Sequence, residues 1–251
     1  MERPLMKNRV FGAGLLLAGL GAVAVIVLRV CFYRFDFDPQ YYPVDYGRFN
    51  FFSFFTVQSN LYAAFYLLCL GCAVFGAKRA KRFAFSPMVR LTVTTYILVT
   101  GMVYCGGIPM KMTPPLYWTD FYQSLLSVVQ IVHHVIMPVL VLLLFLLPPT
   151  DRRINKRALP VVGIYPLAYS LVSIARGALT DPQFYPYPFY RPDFFWTMFF
   201  GSRPLQPVAA YLLMLPMLLL GIGVFLLIAL VLTAVHNRIC TRWQKTAAPH
   251  A

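Results

Sequence analysis

The residues of this chain best equipped for chemistry are Thr56 and the adjacent pair His133 and His134, each set inside a long apolar stretch. Polar groups in such surroundings are expensive and mark sites. A threonine hydroxyl is a weak nucleophile until a base within hydrogen-bond reach takes its proton, after which it can attack an ester carbonyl and form an acyl intermediate. Asn60, one turn from Thr56, and Gln130, one turn from His134, are candidate donors for the oxyanion that such an attack creates. No carboxylate is expected deep enough to complete a triad.

The spacing of the polar residues suggests how these groups are presented. Asn50, Ser53, Thr56 and Asn60 recur at intervals of three and four, and so do Asp120, Gln123, Ser127, Gln130 and His134. Each set shares one helical face. Tyr96, Thr100 and Tyr104 form a third stripe, and Tyr165, Tyr169, Ser173 and Arg176 a fourth. The first two stripes are expected to face each other, enclosing a polar pocket. The plain alternative is that these groups are interhelical hydrogen bonds, worth about 0.6 kcal/mol each.

Neighbouring side chains on a helix point about 100° apart, so only one of the two histidines can be centred on the stripe. That periodicity selects His134, which lies about 20 Å along the axis from Asp120. Pro138 follows one turn later, where its missing N–H frees the His134 carbonyl and favours a kink. A histidine held only for packing is the competing reading.

The elements that must position these residues are membrane helices. Hydrophobic residues make up 59% of the 251, and charged residues only 12%, about half the charged share of a soluble domain. The apolar residues gather into six blocks long enough to cross a bilayer core as helices: about 11–32, 50–75, 88–108, 121–147, 158–179 and 207–235. They are continuous runs, not the alternations of a barrel. The expected fold is therefore an all-α integral membrane protein, a six-transmembrane-helix bundle in a single domain. The second to fifth spans should enclose the pocket. The first and sixth should give apolar support, since the sixth is almost bare of polar groups.

Charge sets the orientation. Arg3, Lys7 and Arg9, then Lys78, Arg79, Lys81 and Arg82, then Arg152, Arg153, Lys156 and Arg157, and finally Arg238, Arg242 and Lys245 all fall on one side. The positive-inside rule makes that side cytoplasmic, with both termini there. Six of the eight acids, Asp36, Asp38, Asp45, Asp120, Asp181 and Asp193, fall on the other. The net charge of +14 is thus explained by topology and anionic membrane lipid, not by nucleic acid. The basic N-terminus followed by an apolar run is read as a retained first span, because the run is too long for a signal core. Cys31, Cys69, Cys72, Cys105 and Cys240 are scattered, and no histidine has a partner at ligand spacing, so neither a metal nor another cofactor is expected.

Three short blocks carry a resemblance. Phe54-Phe55-Thr56-Val57-Gln58-Ser59-Asn60-Leu61, Val132-His133-His134-Val135-Ile136-Met137-Pro138 and Tyr185-Pro186-Tyr187-Pro188-Phe189 resemble motifs of the androgen-induced membrane hydrolase family, most closely its bacterial members. The likeness extends over the whole chain through the six-span plan. Animal members cleave fatty acid esters of hydroxy fatty acids with an intramembrane threonine and histidine. The resemblance therefore implies a lipid ester as substrate, Thr56 as nucleophile, a histidine of the fourth span as base, and a bacterial inner membrane as the setting. In the animal proteins the histidine precedes a proline by five positions, which would choose His133, whereas the stripe chooses His134. The residues after the threonine also differ from theirs.

Phe184 to Trp196 is rich in aromatic residues and proline; it is expected at the outer interface as an anchoring belt, with a lid over the pocket as the alternative. A small transporter, or a scaffold binding lipid or quinone, could use the same polar cavity. The sequence shows neither an inverted repeat nor the paired broken helices of such transporters.

Overall fold

The computed structural model describes residues 8–34, 44–107, 116–147, 153–181, 183–201, 203–204 and 206–247, and no strand occurs among them. Arg3, Lys7, Asp36, Asp38, Lys111 and Arg152 lie outside the described residues.

Helix α1 (Arg9–Cys31) starts at Asn8, whose side-chain oxygen accepts from the backbone N–H groups of Val10 and Phe11, two donors with no partner inside the helix. A 3-10 turn (Arg48–Ser53) leads into α2 (Phe55–Val74), followed by the short basic α3 (Lys78–Ala84) and α4 (Pro87–Gly107). Next come α5 (Phe121–Ile131), a π turn (Val132–Ile136) and α6 (Met137–Leu146), which together make one span. Helices α7 (Leu159–Leu179), α8 (Pro192–Phe200) and α9 (Pro207–Ala247) complete the described part. Among the described residues six helices are long and apolar enough to cross a membrane, the build of an integral membrane protein.

Two boundaries differ from the sequence reading. The second span begins at Phe55, not near residue 50, because Phe54 adopts an extended conformation (φ −74°, ψ 132°) that separates the 3-10 turn from the helix. The last helix runs past residue 235 to Ala247, since its polar end still finds partners. Asn237 Oδ1 accepts from the N–H of Ile154 at 2.9 Å and its Nδ2 donates to the Ile154 carbonyl at 3.0 Å, while Arg153 reaches Thr241 at 3.1 Å.

Helices α2 and α4 are the most enclosed spans. Helix α1 lies against α2 through glycines: a Cβ at Gly12 would stand 2.7 Å from Val74, one at Gly19 2.8 Å from Leu68, and one at Gly71 3.0 Å from the Gly12 carbonyl. Gly14, by contrast, faces open space. Helix α9 is more than peripheral support, because its Phe225 packs against Phe55 and Tyr96 at the centre.

The bundle has two chemically distinct ends. At one, the basic segments converge, and Arg90 is buried with its guanidinium donating to the carbonyls of Leu144 and Phe145 at 3.2 and 2.9 Å. These carbonyls belong to the last turn of α6, where the helix has no donor left for them. At the other end, aromatic rings and loops close over the start of α2.

Candidate functional site

Helix α2 begins without a side-chain cap of its own, because Phe54 carries no oxygen. Two tyrosines supply what it lacks. The N–H of Phe55 donates to the phenol of Tyr169 on α7 at 3.1 Å, and the N–H of Thr56 donates to the phenol of Tyr187 at 3.1 Å. Tyr169 passes its own proton to the Ser53 carbonyl at 2.8 Å. The Tyr187 phenol also stands 3.3 Å from Thr56 Oγ1. Burial pushes the Tyr187 phenol up from the ordinary tyrosine range, against the lowering effect of its Thr56 contacts, so the oxygen keeps its proton.

The expected face Asn50, Ser53, Thr56, Asn60 is divided at Phe54. Asn50 and Ser53 sit on the 3-10 turn and turn to Arg176 of α7, which donates to Ser53 Oγ at 2.6 Å and to Asn50 Oδ1. Thr56 and Asn60 belong to the α-helix and turn inward. The even spacing in sequence is therefore no guide to a common face here, because the periodicity of 3.6 holds only within one helix.

Asn60 is the link between the second and fourth spans. Its Nδ2 donates to the Thr56 carbonyl at 2.8 Å and to the His133 carbonyl at 3.2 Å. The neighbouring Ser59 hydroxyl pairs with Thr100 Oγ1 of α4 at 2.8 Å and also meets the Thr56 carbonyl at 3.0 Å. Asn60 is 0% and His133 1% exposed, yet Asn60 Oδ1 and His133 Nε2 have no hydrogen-bond partner among the described residues. Buried polar atoms left unpaired are rare enough to require a reason.

His133, and not His134, is the interior imidazole. The stripe reasoning assumed an unbroken α-helix, but residues 132–136 form a π turn in which the N–H of Met137 reaches back to the Val132 carbonyl. Pro138 explains the distortion: it has no N–H for the His134 carbonyl, and its ring crowds that turn. His134 is consequently less buried; its Nδ1 lies 3.0 Å from the Gln130 carbonyl and its ring stacks on Tyr104 at 4.1 Å. Gly101 of α4 admits the turn, since a Cβ there would meet the His134 carbonyl oxygen at 2.9 Å.

The two long stripes do not face each other. Ser127 donates to the Tyr117 carbonyl at 2.7 Å and accepts from its N–H at 2.9 Å, serving the preceding loop. Asp120 caps α5 through the Gln123 N–H at 2.9 Å. Gln130 enters through its carbonyl, bonded to His134. The expected open pocket is filled: Tyr96, Tyr165, Tyr169 and Phe225 surround Phe55 with ring centroids 5.3 to 6.0 Å away. Tyr96 donates to the Val162 carbonyl at 2.9 Å and Tyr165 to Gln58 Oε1. Rings whose hydroxyls all find partners fill space more favourably than a void. A groove of about 460 Å³ lies elsewhere, between α8 and α9, lined by Trp196, Phe200, Ala209, Leu212 and Pro216.

Neither imidazole is hydrogen-bonded to the Thr56 hydroxyl; Tyr187 holds that place. Spacing gave no hint of this partner, which lies in the Phe184 to Trp196 segment expected as an interfacial belt or, alternatively, a lid. Phe184 and Tyr185 are in fact buried, with Tyr185 lying on Gly177, where a Cβ would come within 2.1 Å of its ring. The signal that could have found Tyr187 was the alternation of proline and aromatic residues, which fixes a stiff, space-filling loop.

No protein-family model, curated protein or solved structure matches the chain.

Proposed function

We propose that this protein is an intramembrane, threonine-dependent hydrolase of lipid esters, fatty acid esters of hydroxy fatty acids in particular. In this reading it resides in a bacterial plasma membrane with the basic end and both termini in the cytoplasm, as the positive-inside rule predicts.

One observation carries the reading. The Asn60 amide ties the backbone of Thr56 to that of His133, and the ring nitrogen Nε2 of His133 is buried without a partner. In this reading that one fully buried side chain holds the residues assigned as nucleophile and base on adjacent helices. His133 is the preferred base, because His134 already has Nδ1 on the Gln130 carbonyl and its ring against Tyr104.

The reaction assigns a task to each group. The imidazole takes the Thr56 proton, Oγ1 bonds to the ester carbon, and the carbonyl oxygen becomes an oxyanion. The protonated Tyr187 phenol, beside Oγ1, donates to that oxyanion. The alcohol leaves with the proton from the imidazole, and water, deprotonated by the same ring, releases the fatty acid from Thr56. The bond between Thr56 and His133 forms when substrate draws the phenol away, in keeping with the tightening of catalytic hydrogen bonds on binding.

The test is to incubate purified protein in detergent with a panel of branched and simple lipid esters. Fatty acid release that is lost in Thr56→Ala and His133→Ala but kept in His134→Ala supports the proposal. Release unaffected in Thr56→Ala overturns it. Solute flux into liposomes that survives Thr56→Ala would point to a transporter instead.

A further inference from the structure

Arg176 is hydrogen-bonded to the turn that precedes Thr56, and among the described residues no carboxylate balances its charge. It donates to Ser53 Oγ at 2.6 Å and to Asn50 Oδ1, and its Cζ lies 4.4 Å above the ring of Phe184. These partners are neutral. A guanidinium carries five N–H donors, so the two bonds leave most of them unspent. The contrast with Arg191, at the same end of the bundle, is instructive: it grips Asp193 through Nε at 3.0 Å and Nη2 at 2.7 Å. Among the described residues no carboxylate lies within ion-pair distance of Arg176.

The setting makes that unbalanced charge costly. Arg176 sits in the last turn of α7, half-buried against the Phe184 ring, where a cation is poorly solvated. Its side chain is nonetheless held in one place by two hydrogen bonds and a ring. A fixed, planar fork with spare donors matches a carboxylate, which accepts two parallel N–H bonds.

Position supplies the rest. Ser53, which holds Arg176, is three residues from Thr56, so their Cα atoms are at most about 10 Å apart. Tyr169 locks the intervening turn through the Ser53 carbonyl and the Phe55 N–H. The guanidinium and the Thr56 hydroxyl are therefore two fixed points on one rigid piece of structure.

We propose that Arg176, with Asn50 and Ser53, binds the carboxylate of a single-chain lipid and thereby sets the position of that lipid relative to Thr56. Arg176 is on this view a specificity residue: it selects ligands with a free carboxylate over neutral esters of the same chain. This deepens the hydrolase reading and rests on it for the role of Thr56, but the binding itself does not require turnover.

The experiment measures binding of cis-parinaric acid and of its methyl ester, by fluorescence, to the full-length protein in nanodiscs of neutral lipid. It is done in the Thr56→Ala background, so that a failure of hydrolysis cannot be mistaken for a failure of binding. The acid should bind about tenfold or more tighter than the methyl ester. Arg176→Gln should abolish this preference while leaving methyl ester binding unchanged, Arg176→Lys should restore part of it, and the exposed Arg203→Gln should leave it intact. Equal affinities for acid and ester in the Arg176 protein would overturn the proposal, as would a preference that persists in Arg176→Gln. Displacement of the acid by low-millimolar acetate or inorganic phosphate would show a site for small free anions and overturn the lipid assignment. Thermal unfolding of each variant shows which are folded, and Arg176→Lys keeps the test decisive if Arg176→Gln is not.

Discussion

The phenol oxygen of Tyr187 stands 3.1 Å from the backbone nitrogen of Thr56 and 3.3 Å from its hydroxyl, across a sequence separation of 131 residues. One atom thus caps a helix and touches the candidate nucleophile. The two roles can be separated by substitution.

Tyr187→Phe keeps the ring, its stacking on Phe189 and its edge contact with Phe54, and removes only the oxygen. It should lower stability by about 1 kcal/mol, the net worth of a hydrogen bond. If the phenol also stabilises the oxyanion, kcat should fall by about a hundredfold or more with little change in KM. Thermal unfolding in detergent and steady-state hydrolysis measure the two effects.

Asn60→Leu preserves volume and deletes the amide. The carbonyls of Thr56 and His133 then lose a buried donor, which should cost about 1–3 kcal/mol. Ester hydrolysis should fall further than stability explains, because the second and fourth spans are no longer tied at that level. Activity at wild-type level in a folded Asn60→Leu protein would remove the main support for pairing Thr56 with His133.

Gly101→Ala places a methyl against the backbone oxygen of His134 at 2.9 Å and the Pro138 ring at 3.0 Å. Neither neighbour is a flexible side-chain tip, so α4 must move away from the π turn. Overpacking of this kind should destabilise the fold by about 1–3 kcal/mol. The melting temperature should drop, and restoring glycine should recover it.

Gly177→Ala acts at the aromatic end. Its methyl would overlap the Tyr185 ring, and that ring is anchored by a 3.1 Å contact with the Tyr211 hydroxyl. The segment carrying Tyr187 should be displaced, with loss of hydrolysis and faster proteolytic cleavage between residues 183 and 190. The control Gly14→Ala, which faces open space, should change neither.

Much of the architecture was legible in the linear pattern. Six apolar runs became six long helices, since each run carries its own reason to be helical once lipid or neighbours surround it. The described basic residues of Lys78 to Arg82, Arg153 to Arg157 and Arg238 to Arg242 gather at one end for the same reason: charge and hydropathy are properties of a segment, readable without knowing its partners. The site was less legible. Thr56, Asn60 and the histidine pair stood out as polar groups in apolar runs, but the choice between His133 and His134 depended on a π turn that Pro138 induces against Gly101.

What the sequence alone determined is therefore the all-helical plan and the approximate spans, together with a short list of candidate polar groups, because these follow from composition and short-range period. Only the tertiary structure decided that Tyr187 meets Thr56, that Asn60 bridges to His133 and that Arg176 takes Asn50 and Ser53. Those contacts join segments far apart in the chain, and the fit between helices, with one extended residue at Phe54 and one widened turn before Pro138, sets which side chains come within hydrogen-bond distance.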